Sequence, residues 1–127
     1  MKYYILIFIF LLNITGAIAQ TYELDVVAGD TTATCSGKFF DSGGENGNYG
    51  NAEDYLVSFT GTGNEPFAFE FYSCRIGLND TLRVFAGSDT TAVLTEMITN
   101  TDTAFTLIEP DTLTFHFVSN ASGTYNG

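Results

Sequence analysis

"TLTFHFV", residues 112–118, carries Leu113, Phe115 and Phe117 at every second position, with Thr114, His116 and Val118 between them. A helix would spread those apolar groups around its axis. A strand, whose side chains alternate in direction, sets all three on one face. The same period of two recurs upstream in Tyr55, Val57 and Phe59, in Phe67, Phe69 and Phe71, and in Leu82 and Val84 around Arg83. Polar turn clusters separate these runs: "GTGNEP" at 61–66, "GLND" at 77–80, "AGSD" at 86–89, "TNTD" at 99–102 and "EPD" at 109–111. Only "TTAVLTEMI" at 90–98 fits a helical period, and its Thr and Val residues argue for extended chain instead. Short alternating runs between frequent turns predict an all-β fold, an antiparallel β-sandwich, and exclude βαβ units.

The first residues read differently. "MKYYILIFIFLLNITGAIAQ" has one early lysine, an apolar run and Ala17 and Ala19 two apart, the pattern of a secretory signal peptide over residues 1–19. Asn13, Thr15 and Gly16 interrupt the run, which is short for a membrane span, so no membrane insertion is expected after cleavage. Residues 20–33 then form a lead-in strand, and 34–127 the sandwich domain. Beyond the leader only Lys38, Arg75 and Arg83 oppose fifteen acidic residues. Such a balance repels nucleic acid and anionic lipid and suits a cation or a basic partner. The abundant aromatic residues separate this acidity from that of a disordered chain. Cys35 and Cys74, an even pair in an exported chain, favour one disulfide, whose loop of about forty residues would contribute roughly 3–4 kcal/mol in the chain-entropy estimate.

The stretch "FFDSGGENGNYGNAEDY", residues 39–55, packs four glycines, three asparagines and four carboxylates together. A hard cation such as calcium takes six to eight oxygens, and Asp41 and Glu53 are candidate donors here. The cheaper reading is a long turn, in which Gly supplies positive φ and Asn or Asp bonds its own backbone.

The order of "CSGKFFDSGGENGNYGNAEDYLVSF", "FAFEFYS", "NDTLRVFAG" and "LTFHFVSNASGTYNG" resembles a CUB domain, in the form of the CUB-like modules of secreted bacterial multidomain proteins. Cys35, Tyr49, Asp80-Leu82-Val84-Gly87 and Phe115-Phe117-Ser119-Asn120 stand at the positions of that pattern. The resemblance covers roughly residues 34–127. It implies a jelly-roll type of sandwich, and since the family closes on a further Gly-aromatic strand, a sandwich lacking its last strand. It also implies ligand binding at the loop end where Asp80 and Asn120 would meet, with Tyr49 as a further candidate ligand contact. In the calcium-binding members, a Glu and two Asp residues share one ion. Here Asp80 matches the second position, Asn120 replaces the third as a neutral amide, and the first falls near Ile76 and Gly77 without a carboxylate. Asp41, Glu53 or Asp54 would have to compensate.

No catalytic constellation accompanies these features. His116 is the single histidine and lies on an outward strand face, with neither a metal-ligand spacing nor a nucleophile elbow near it. Arg83 is expected in a surface ion pair. Asn79-Asp-Thr and Asn120-Ala-Ser fit the glycosylation sequon, and a glycan at either would crowd an ion bound by Asp80. Tyr49, Tyr55, Tyr72 and Tyr125 are the aromatic candidates for stacking a sugar. The expectation is a secreted or cell-surface, non-enzymatic adhesion or recognition module for an extracellular protein or glycan, engaging a basic group with or without calcium. The alternatives are an accessory domain of a larger secreted hydrolase, such as a peptidase, and a structural spacer.

Overall fold

The structure, a computed structural model, describes residues 19–63, 66–97, 105–109 and 111–125. Residues 1–18 of the leader expected over 1–19 and the turn expected at 99–102 lie outside them. Among the described residues nine strands follow in order: β1 Gln20–Glu23, β2 Thr31–Thr34, β3 Gly37–Phe40, β4 Asp54–Gly61, β5 Phe67–Phe71, β6 Thr81–Ala86, β7 Val93–Met97, β8 Phe105–Glu109 and β9 Thr112–Val118. A one-turn helix, α1 Leu24–Val27, buries Leu24 between β1 and β2. The residues at 90–98 that fit a helical period contribute β7, as their β-branched side chains predicted. The fold is an all-β sandwich.

One sheet has five strands in the order β2-β4-β9-β6-β7. The period-two stretch at 112–118 is its central strand, paired antiparallel with β4 on one side and β6 on the other. That register lines up three apolar rows across β4, β9 and β6: Phe59–Leu113–Ala86, Val57–Phe115–Val84 and Tyr55–Phe117–Leu82. Val57, Phe59, Val84, Leu113 and Phe115 are all essentially inaccessible. On the opposite face Arg83 meets Glu96 across the β6–β7 ladder with an N–O distance of 2.9 Å, the surface ion pair expected of it.

Two differences from the alternating pattern have physical causes. Thr114, at an outward position, is fully buried beside Ser58, and its hydroxyl is satisfied by the Ser58 hydroxyl at 2.7 Å and the Gly87 carbonyl at 2.7 Å. Burial of a hydroxyl costs little when it is bonded in this way. The sandwich is also not purely antiparallel: β1 runs parallel to β3, and β2 parallel to β4. Parallel neighbours need a crossover. The chain makes it by visiting the other layer between each pair. The residues expected as a single lead-in strand are therefore β1, α1 and the start of β2, each already part of the sandwich.

Among the described residues the second layer consists of two separate ladders, β1-β3 and β5-β8. Its rings lie over the first sheet: Tyr22 against Phe59 at 5.3 Å between centroids, Phe39 against Phe59 at 5.0 Å, and Phe69 against Phe115 at 4.7 Å. Edge-on and tilted geometries dominate, as the ring quadrupole favours. Cys35 is exposed and Cys74 buried, and the structure holds no bond between them.

Candidate functional site

Asp80 immediately precedes β6, at the place where a turn residue was expected. Instead its carboxylate is 1 % exposed. One oxygen accepts the Tyr49 hydroxyl at 2.6 Å and the other the Asn120 backbone N–H at 2.7 Å. The Tyr49 hydroxyl in turn accepts the Gly77 N–H at 2.7 Å. Gly77 is required there by space, because a Cβ would meet the Asp80 carboxylate, the Tyr49 hydroxyl at 2.7 Å and the Gly123 carbonyl at 2.6 Å. Thus one buried carboxylate ties the glycine-rich loop at 41–53, the turn at 77–80 and the segment after β9 into a single unit.

Bonds around this hub extend the same connection. The Tyr49 N–H donates to the Tyr125 carbonyl at 3.1 Å, and the Ala52 N–H to the Asn120 carbonyl at 2.7 Å. The Asn120 amide donates to the Leu78 carbonyl and accepts the Ser122 N–H, both at 2.7 Å. Asn79, next in the turn, takes a left-handed φ of 67°, a conformation asparagine tolerates. Arg75 stacks on Tyr125 with its guanidinium carbon 4.5 Å from the ring centroid.

The remaining candidates separate. Glu53 accepts the Ser42 hydroxyl at 2.6 and 2.7 Å and the Gly50 N–H at 3.0 Å, closing the loop on itself. Asp41 accepts the Gly43 N–H at 2.7 Å, as a side-chain turn does. Among the described residues, no three His, Cys, Asp or Glu side chains converge. This donor set does not fit a calcium cage. Both Asp80 oxygens and both ends of the Asn120 amide are already bonded within the fold, and Asp41 and Glu53 serve their own loop. Residues 41–53 are a turn-rich connection between β3 and β4, fastened from beneath.

Tyr49 and Asp80, expected to touch a ligand, are each 1 % exposed and shape the loop end from underneath. Of the other tyrosines, Tyr72 is 85 % exposed and bonds Glu70, and Tyr125 lies under Arg75. His116 pairs with Asp54 at 2.8 Å on the neighbouring strand β4. The sequence did not mark Tyr49 and Gly77 as partners of Asp80. The available signal was a glycine three residues before an aspartate that opens a strand, but the tyrosine lies 31 positions away from that aspartate. No family model matches the chain, and no curated protein matches it.

Two outcomes follow from this geometry. Calcium and chelator should leave the melting temperature of the folded chain unchanged. An occupied site at about a hundred times its Kd would add roughly 2.7 kcal/mol, so a rise of several degrees with calcium would contradict the hydrogen-bonded assignment. The second concerns Tyr49, whose ionisation is pushed well above the ordinary tyrosine range, first by burial and then by donation to Asp80. A raised folded-state value keeps the proton on the folded chain after the unfolded chain has released it. Its contribution is complete below about pH 10 and is lost as pH rises above it, at up to about 1.4 kcal/mol per pH unit. Denaturation of Tyr49→Phe should show a shallower alkaline fall than the parent. Equal slopes would place the hydroxyl outside the buried network.

Proposed function

We propose that the chain is a non-enzymatic, extracellular recognition module that presents its loop end to a basic group of a protein or glycan partner. The observation that carries this reading is the Asp80 hub. Three loops that would otherwise move separately are held by bonds from one buried carboxylate, and a surface fixed in advance loses less entropy on binding. In the same turn Leu78 is 69 % exposed next to the left-handed Asn79, and Arg75 stacks on Tyr125. The leader-like first residues support export, and the acidic balance supports a cationic partner. The likeness to CUB modules points the same way. His116, paired with Asp54, is given no catalytic part.

The test is an NMR titration with a short oligo-arginine peptide. Shifts should concentrate in residues 41–53, 77–80 and 119–125. They should weaken as salt rises from about 0.01 to 0.15 M, where the Debye length falls from about 30 to about 8 Å. Shifts scattered over every acidic side chain, or none, would remove the loop end as the recognition surface.

A further inference from the structure

Two sequons, Asn79-Asp80-Thr81 and Asn120-Ala121-Ser122, stand at the loop end. They carry the same signal, and the fold treats them differently. Asn79 is the third residue of the turn from Gly77 to Asp80, closed by the Asp80 N–H on the Gly77 carbonyl at 3.0 Å. Its left-handed φ of 67° suits that corner, where glycine and asparagine are favoured. The side chain is exposed and makes no hydrogen bond among the described residues. The bonds that hold this turn in the hub come from its neighbours: the Asp80 carboxylate, the Gly77 N–H and the Leu78 carbonyl. A bulky group on the Asn79 amide therefore displaces no hydrogen bond of the fold.

Asn120 differs in each respect. It is half-buried. Its amide nitrogen donates to the Leu78 carbonyl at 2.7 Å. Its amide oxygen accepts the Ser122 N–H at 2.7 Å and the Ser122 hydroxyl at 3.4 Å. That hydroxyl is the one the second sequon requires, so amide and hydroxyl are both engaged inside the turn. The Thr81 hydroxyl of the first sequon makes no hydrogen bond among the described residues. A sugar on the Asn120 nitrogen would crowd the bond that ties the segment after β9 to the turn before β6.

We propose that Asn79 accepts an N-linked glycan when the chain is exported past an oligosaccharyltransferase, and that Asn120 stays bare. The donor is an oligosaccharide carried on a lipid diphosphate. A bond forms between the Asn79 Nδ2 and C1 of the first sugar, and the bond from C1 to the diphosphate oxygen breaks. The lipid diphosphate leaves, and one amide proton passes to a base of the transferase. This assignment rests on the extracellular reading of the chain and not on recognition of a basic group at the loop end.

The experiment is secretion from cultured animal cells, once of the full chain and once with residues 1–19 exchanged for a leader of the host. Enzymatic removal of an N-glycan leaves aspartate where the sugar stood, which peptide mapping locates. The conversion should fall at Asn79 and be absent at Asn120. Asn79→Asp and Thr81→Ala should each lose the glycan, and Thr81→Ser should keep it. The proposal is overturned if, behind the host leader, Asn79 is unmodified or Asn120 carries sugar. A glycan on Asn79 behind the host leader, with none and no secretion behind the chain's own first residues, would support the acceptor and fault the extracellular reading instead.

Discussion

A carboxylate withdrawn from water must be answered by donors, and Asp80 is answered by two from distant parts of the chain. Leaving either donor unmet would cost about 1–3 kcal/mol, a large share of a small domain's stability. That asymmetry makes the pair of bonds a constraint on the backbone. Tyr49 must bring the glycine-rich loop inward, and Asn120 must turn its backbone N–H toward β6 as β9 ends. Gly77 must carry no side chain, since a Cβ there would occupy the space of the carboxylate. The loop with the most acidic and amide oxygens is therefore shaped by a tyrosine hydroxyl and a serine–glutamate closure.

The hub also connects the loop end to the core. Tyr49 packs edge-on against Phe117 at 4.8 Å, and Phe117 belongs to the row that crosses β4, β9 and β6. Its hydroxyl serves the loops while its ring serves the sandwich. The five-stranded sheet is continuous and well covered at this end. Among the described residues the opposite layer is divided into two ladders, and rings from both, Phe39 and Phe69, meet at 5.8 Å.

The sheet was legible where local pattern suffices. Leu113, Phe115 and Phe117 have to share a face in any strand, and burial follows from that. What the pattern lacks is the identity of the neighbour. Nothing in Thr31–Thr34 or Gly37–Phe40 encodes that each runs parallel to its partner, because that depends on which layer the chain visits in between. The site was half legible. Asp80 and Asn120 were expected to meet from their likeness to a family pattern, and a bond joins them, whereas the bond from Tyr49 to Asp80 was not foreseen. Their roles were not legible, since an aspartate beginning a strand looks the same in sequence whether it faces solvent, an ion or a buried hydroxyl. Asp41 and Glu53 illustrate the same limit: composition left both a cage and a turn open, with the turn the cheaper reading, and their bonds are those of turns.

The most direct test of the buried Asp80 hub is a double-mutant cycle between Tyr49→Phe and Asp80→Asn, read from denaturant midpoints at neutral pH. If hydroxyl and carboxylate are bonded in the core, the two losses should fail to add by roughly 0.5–3 kcal/mol. Additivity within about 0.3–0.5 kcal/mol would mean that the two side chains do not depend on each other, and the account of the loop end would fail with them.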